Sequence, residues 1–278
     1  DYVVPVPPPS PRFHVVSRDN ELDYYWDDSP ETFKDPTSLG DQIDFEGYRL
    51  YLGEARNQLL EVAQFDSRVF PGDSVGFNTG FDAVKLTPPA RFEGRDYPYK
   101  YTVRGVRDGF KYYCAVTSFD RGTNIIESLE SGQTQNLALV VPAPNPDEHT
   151  EFGPTVFPNP YRVEARWDRD RKVRDHYLWF TRLPRSCELK IFTLSGDLLL
   201  TKEFDGSSYR GEGTRGLYDP AADAPLAPPT LSGTTFAWDL ITRGGSAVAS
   251  GLYLFSVEDR ETGKRTVGKF LVVKSDRE

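Results

Sequence analysis

The side chains best suited to chemistry in this sequence are carboxylates crowded into one stretch and one later loop. Seven of them lie between Asp27 and Glu46, and a second acidic loop begins at Asp120. If both loops emerge at the same end of a β-sandwich, their carboxylates converge. Ca²⁺ takes about six to eight oxygen ligands, often from flexible loops that the ion then stiffens. We therefore predict either a solvated acidic loop or a calcium site made by Asp28, Glu31, Asp35, Asp44 and Asp120.

Other catalytic patterns are weaker. Paired carboxylates also serve glycoside hydrolysis, but that reaction needs a substrate cleft that small sandwiches seldom offer. Gly72–Gly76 fits the G-x-S-x-G elbow around Ser74, yet no helix pattern follows it. Gly211–Gly216 fits a dinucleotide fingerprint but lacks the flanking strand and helix. We expect no catalytic residues and no organic cofactor.

The histidines and cysteines do not have metal-binding spacing. His14, His149 and His176 are far apart in the sequence, and no H-x-x-x-H or C-x-x-C spacing occurs, which disfavours zinc and haem. Cys114 and Cys187 occupy apolar positions in different predicted domains. We predict two buried free thiols, with an interdomain disulfide as the alternative.

Charge and hydropathy exclude several partners. The net charge is -9, and residues 1 to 148 hold 14 basic and 24 acidic side chains. Nucleic acid is disfavoured because its binding needs clustered Lys and Arg. No stretch approaches the roughly 20 apolar residues of a membrane span. The chain has no Met, so we expect further sequence before Asp1, such as a cleaved signal peptide or a part removed by truncation, and a secreted protein.

Composition and patterning indicate an all-β chain. Aromatic residues make up 13% of it, and short Val-, Tyr- and Phe-rich runs alternate with clusters drawn from its 22 Pro and 23 Gly. We predict two tandem immunoglobulin-like (Greek-key) β-sandwiches with a proline-rich N-terminal arm. Seven strands are expected in the first sandwich, at 13–17, 21–26, 48–53, 58–66, 99–106, 110–119 and 134–141.

The proline-rich segments set the predicted boundaries. Five prolines stiffen the arm, and four more mark a linker between two strand-rich regions. A long Gly-, Pro- and Ala-rich stretch replaces a hairpin turn in the second region, either as a partner contact or as disorder. The predicted parts are the arm 1–11, the first domain 12–141, the linker 142–154 and the last domain 155–278 with the insertion 205–234.

Alternation also predicts core residues. Trp26 is expected at the centre of the first core, and Trp238 and Tyr253 in the second. Tyr112 is the candidate for a tyrosine corner, with its ring in the core and its hydroxyl bonded to nearby backbone.

The last domain carries an ordered series of motifs. These are Phe157–Pro160, Cys187–Gly196, Trp238–Leu240, Gly244–Gly245, Ala249–Tyr253 and Lys269–Lys274. The series resembles the immunoglobulin-like domain of flagellar hook-capping proteins and the C-terminal sorting domains of type IX secretion cargo. Gly196 suits a hairpin turn, and Gly251 suggests a backbone conformation closed to most residues. The resemblance implies a bacterial, exported protein, and the insertion departs from the pattern.

The first domain is similar to the fibronectin type III modules of bacterial surface proteins. The resemblance is carried by Trp26–Asp28, Asp44–Arg49, Gly76–Gly80 and Tyr113–Gly122. Such modules act as spacers, adhesive units or interaction surfaces, so the resemblance bears on fold more than on function.

Together these patterns predict a non-enzymatic, secreted or cell-surface structural or adhesive protein. It would act through protein–protein contacts, including self-association into a surface assembly such as a filament or sheath. The arm, the sheet edges and the insertion are the expected contact elements. The alternative is the C-terminal binding or anchoring region of a larger secreted hydrolase.

Overall fold

The computed structural model describes residues 5–35, 43–68, 76–122, 126–145, 153–162, 177–211, 214, 217–218 and 227–274. Its contacts divide the chain into two compact units. Unit 1 comprises Asp1–Val16, Glu21–Val106 and Phe110–Val140, and unit 2 comprises Ser17–Asn20, Arg107–Gly109 and Val141–Glu278. The described residues form sixteen β-strands and one short 3-10 helix, Ser29–Thr32, so the predicted all-β sandwich fold is confirmed.

The sandwich of unit 1 has two four-stranded sheets. Its strands are β1 (Phe13–Arg18), β2 (Glu21–Trp26), β3 (Phe45–Ala55), β4 (Gln58–Asp66), β5 (Lys85–Phe92), β6 (Arg95–Arg104), β7 (Tyr112–Asp120) and β8 (Ala138–Val140). One sheet has the order β1-β2-β6-β5 and the other β4-β3-β7-β8. These orders match the A-B-E-D and C′-C-F-G sheets of immunoglobulin-type sandwiches.

Aromatic side chains fill the core of unit 1. Trp26 is fully buried, as predicted, and its ring stacks on Tyr99 with centroids 5.6 Å apart. Tyr48 contacts both rings from the opposite sheet. The ring of Tyr112 is buried in the same core. Alternation along β2, β3, β6 and β7 therefore located the core correctly.

The sequence reading missed β5, because Pro88 and Pro89 lie inside it. Among the described strands, β5 is at the edge of its sheet and pairs with β6 alone. The pairing shifts register between Lys85 and Ala90, and the two prolines lie in that irregular segment. Proline is tolerated there because an edge strand leaves half of its amides outside the ladder.

Unit 2 is a second sandwich. Its strands are β9 (Thr155–Phe157), β10 (Tyr161–Arg162), β11 (Leu178–Thr181), β12 (Ser186–Thr193), β13 (Leu198–Asp205), β14 (Phe236–Trp238), β15 (Gly251–Asp259) and β16 (Arg265–Val273). The larger sheet has the order β10-β16-β15-β12-β13 and the smaller one β14-β11-β9. The run β16-β15-β12-β13 corresponds to the G-F-C-C′ strands of an immunoglobulin sandwich.

The core of unit 2 contains Trp238 and Tyr253, as predicted. It also takes residues from the insertion 205–234. Tyr209 packs between Phe204 and Phe236, and Leu217 is fully buried beside Trp179. The described part of the insertion thus supplies core side chains, a role that its Gly- and Pro-rich composition did not reveal.

Two glycine predictions have different outcomes. Gly196 has φ 96° in the turn between β12 and β13, where most side chains would be strained. The prediction for Gly251 is wrong: it is an ordinary strand residue at the start of β15, outside the left-handed region. A Cβ at Gly251 would lie 3.9 Å from the ring of Tyr253, an ordinary van der Waals contact, so the backbone here does not require glycine.

Both cysteines are buried and free, as predicted. Burial raises the pKa of each thiol to about 12, so neither is a nucleophile at neutral pH.

The described part of the predicted arm lies against unit 1 in this structure. Residues 5–11 pack on unit 1, with Pro8 and Pro11 buried. At the start of the predicted linker, the Ala143 amide donates a hydrogen bond to Ser17 Oγ. Ser17 Oγ also lies 3.0 Å from the Val141 carbonyl oxygen. The rest of the predicted linker, 146–152, lies outside the described residues.

No helix among the described residues is long and apolar enough to cross a membrane.

Candidate functional site

The acidic end of unit 1 separates into two groups. Glu31 lies on the 3-10 helix and accepts hydrogen bonds from the hydroxyls of Tyr99 at 2.7 Å and Tyr48 at 3.1 Å. Burial raises the pKa of Glu31, and the charge of Asp28 adds to the effect, while the two tyrosines oppose it. Glu31 therefore anchors the 3-10 helix to the aromatic core, with Asp28 exposed beside it.

The second group contains Asp35, Asp44 and Asp120. The amide of Arg121 donates to the carbonyl oxygen of Asp44 at 3.0 Å, so the two predicted acidic loops do meet. Burial raises the pKa of Asp44, and the charges of Asp120 and Asp35 raise it further. Burial also raises the pKa of Asp120, although Oδ1 of this residue accepts the amides of Gly122 and Leu129.

One carboxylate oxygen of this second group is notable. Asp44 Oδ1 is buried and has no hydrogen-bond partner among the described residues. Within those residues, no three carboxylate, imidazole or thiol groups lie together closely enough to hold a metal ion. Asp41, in the same loop, is outside the described residues. Calcium thus stays a prediction. The carboxylate oxygens of Asp35, Asp44 and Asp120 would have to move closer together to coordinate the ion.

The remaining sequence motifs are placed as follows. Ser74, His149 and His176 lie outside the described residues, as does most of Gly211–Gly216. Gly211 itself has φ 92° and faces Leu217. His14 stacks on Phe92 with ring centroids 4.1 Å apart, and burial lowers its pKa, so it is a neutral packing residue.

The sequence reading overlooked an apolar surface on the larger sheet of unit 2. Tyr253, Phe255, Phe270 and Val272 face the core, so their neighbours along β15 and β16 face outward. Leu252 and Leu271 are register partners, and each is 37% exposed. We define the apolar face as Phe192, Leu198, Leu252, Leu254, Leu271 and Val273.

Register joins these side chains into one patch. Phe192 on β12 pairs with both Leu254 and Leu198, and thus connects β15 to β13. Val273, 39% exposed, extends the patch along β16. The signal in the sequence was the uninterrupted apolar runs Leu252–Phe255 and Phe270–Val273. An antiparallel strand with one core face normally alternates with polar residues.

The other end of the same sheet face is charged but electrically balanced. Lys190 Nζ lies 2.7 Å from Glu188 Oε1, Arg260 Nη2 lies 2.5 Å from Glu203 Oε1, and Arg265 Nη2 lies 3.0 Å from Glu258 Oε2. Three acids and three bases thus pair within the face. Such exposed pairs contribute little stability. They neutralise one another, and Lys269, the register partner of Leu254, adds one positive charge to the same face.

Comparison with known proteins gives a fold resemblance at low similarity. No family model and no curated protein matches the chain. A fibronectin III array of RIM-binding protein is 10% identical, with a TM-score of 0.24, over 97% of this chain and 71% of that one. A two-domain fibronectin type III segment of chicken tenascin is 11% identical, with a TM-score of 0.26, over 94% of this chain and 99% of that one.

A bacterial structure is similar at the same level. PorZ, described as an essential surface component of the type IX secretion system of Porphyromonas gingivalis, is 12% identical with a TM-score of 0.27. The match spans 93% of this chain and 42% of PorZ. TM-scores this low carry no argument about function.

Proposed function

We propose that this chain is a non-enzymatic, secreted or cell-surface interaction protein that acts by self-association through the apolar face of unit 2. The observation that carries the proposal is that face: six apolar side chains from four adjacent strands on the solvent side of a sheet. Contiguous exposed apolar patches rimmed by polar residues are typical of protein–protein contacts.

A second copy of the chain is the occupant that the charges favour. The three ion pairs beside the apolar face neutralise one another, so two identical faces meet with only the charge of Lys269 on each copy opposing contact. One such contact makes a dimer, and a second, different contact on each copy would extend it into a filament or sheath.

The predicted family assignments belong to the same proposal. Unit 1 acts as a fibronectin type III-like interaction module, and unit 2 as an immunoglobulin-like domain of the hook-capping and type IX sorting type. The strand orders of both units support these assignments at the level of fold.

Static light scattering and electron microscopy of the purified chain over a wide concentration range test the proposal. We expect the mass to rise with concentration and elongated assemblies to form. A strictly monomeric species at all concentrations would count against it. The alternative, an accessory region of a larger secreted hydrolase, is distinguished by intact mass and N-terminal sequencing of the native protein, which would show a preceding catalytic domain.

A further inference from the structure

The proline-rich arm lies on unit 1 with a three-residue period. Pro5 is partly buried and Pro8 and Pro11 are buried, whereas the next residue in each case is exposed: Val6, Pro9 and Arg12. Proline fixes φ near that of polyproline II, and the residue before a proline is restricted to extended conformations. Polyproline II repeats every three residues, so one row of the helix faces the protein.

Side chains of unit 1 bind the backbone carbonyl oxygens of this arm. A polyproline II segment makes no internal hydrogen bonds, so its carbonyl oxygens are available to a partner. Ser118 Oγ lies 3.0 Å from the carbonyl oxygen of Pro8 and 2.7 Å from that of Pro9. Asn136 Nδ2 donates to the carbonyl oxygen of Pro11 at 2.8 Å. These three contacts require the extended backbone rather than particular side chains.

The same donors are fixed by β7 and by the segment beside it. Asn136 Nδ2 also donates to the Val116 carbonyl oxygen at 2.6 Å, and its Oδ1 accepts the Val116 amide at 3.2 Å. Ser131 Oγ accepts the Ser118 amide at 3.0 Å and lies 2.9 Å from Ser10 Oγ. The sandwich itself therefore holds these donor side chains in place. The hydrogen bonds that they do not make within the sandwich are directed at the arm.

We propose that the groove formed by Ser118, Ser131, Gln135 and Asn136 is a binding site for a proline-rich extended segment, and that the arm of a second copy occupies it in the assembled protein. This inference rests on the proposed self-association and names one of its contacts. An exchanged arm makes the same hydrogen bonds as the arm of the same chain, so the two arrangements differ mainly in effective concentration. Crowding of copies on a surface therefore favours exchange.

Crosslinking between full-length chains tests the exchange. One chain carries Ser10→Cys and the other Ser131→Cys, since these hydroxyls lie 2.9 Å apart in the docked arm. The native cysteines are buried and do not compete. After mild oxidation of the mixture, we expect a disulfide-linked heterodimer whose yield rises with concentration. The matched control replaces the second chain by one with Ser29→Cys, an exposed serine of the same unit.

A second cysteine position tests the same contact in case the Ser131→Cys chain does not fold. Gln135→Cys is at an exposed position whose Oε1 lies 2.9 Å from Ser10 Oγ, and it should crosslink with the Ser10→Cys chain in the same way. If both mixtures crosslink no more than the Ser29→Cys control, the arm is not exchanged and the inference is overturned. Should light scattering still show assembly in that case, self-association stands and only the role of the arm is lost.

Discussion

The side-chain amide of Asn136 joins two segments far apart in the sequence: it donates to the carbonyl oxygen of Pro11 and to that of Val116 in β7. One side chain thus holds the arm against the sandwich and also replaces part of a missing strand partner along β7. Docking of the arm and closure of this edge of unit 1 therefore depend on the same residue.

Asn136→Ala should lower the free energy of unfolding by about 1–3 kcal/mol, because the Val116 amide and carbonyl and the Pro11 carbonyl lose their partner. Urea denaturation followed by tryptophan fluorescence measures the change. Thr134→Ala, at an exposed position outside the groove, is the matched control and should shift stability by less than about 0.5 kcal/mol. Equal effects of the two substitutions would show that Asn136 has no special structural role.

We propose calcium for Asp35, Asp44 and Asp120. Glu31 and Asp28, the other two predicted ligands, lie in the separate group around Tyr48 and Tyr99. Adding Ca²⁺ to chelator-treated protein should release heat in a calorimetric titration and raise the melting temperature. Asp44→Asn should weaken both effects, since it removes charge at the buried, unpartnered oxygen. Asp82→Asn, an exposed acid in the same unit, should change neither. No heat and no thermal shift in the unsubstituted protein would remove the site.

Stability should fall between about pH 4 and pH 7 because of Asp108 in unit 2. Burial raises the pKa of Asp108 to about 7, and the neighbouring Asp19 adds to the rise. The folded state therefore binds a proton more tightly than the unfolded state, whose Asp pKa is about 3.9. The contribution of Asp108 is fully present below that unfolded value and is lost as pH rises through the folded one.

Thermal unfolding across this pH range measures the effect. Asp108→Asn should flatten the profile. Asp197→Asn should leave the profile unchanged, because hydrogen bonds from Ser195 and Thr193 lower the pKa of the exposed Asp197 and this carboxyl therefore titrates below the range. An Asp108→Asn profile as steep as that of the unsubstituted protein would contradict the assignment.

Strand positions followed from the sequence because alternation records which side of a strand meets a core. It placed Trp26, Trp238 and Tyr253 correctly. Alternation did not locate the prolines, because proline occurs both outside the strands and within edge strands or docked segments. Pro88 and Pro89 lie in an edge strand, within a stretch where no strand was predicted, and the prolines of the predicted arm are docked on unit 1.

The candidate surfaces were harder to predict, because they depend on what the fold leaves uncovered. Leu252 and Leu271 lie within apolar runs of the sequence, and only the register of β15 and β16 shows that both face outward. The loops of Asp44 and Asp120 meet through the backbone hydrogen bond from Arg121 to Asp44. Glu31 instead accepts hydrogen bonds from two tyrosine hydroxyls, whose positions no sequence pattern predicts.

Sedimentation equilibrium of a charged variant of the apolar face shows whether copies of the chain associate through unit 2. Leu252→Lys combined with Leu271→Lys should weaken self-association by about tenfold or more, since two leucines buried in a contact contribute at least ~1.4 kcal/mol. Leu60→Lys, at a leucine 74% exposed in unit 1, should leave it unchanged. If the double variant associates as strongly as the unsubstituted chain, the apolar face is not the self-association contact.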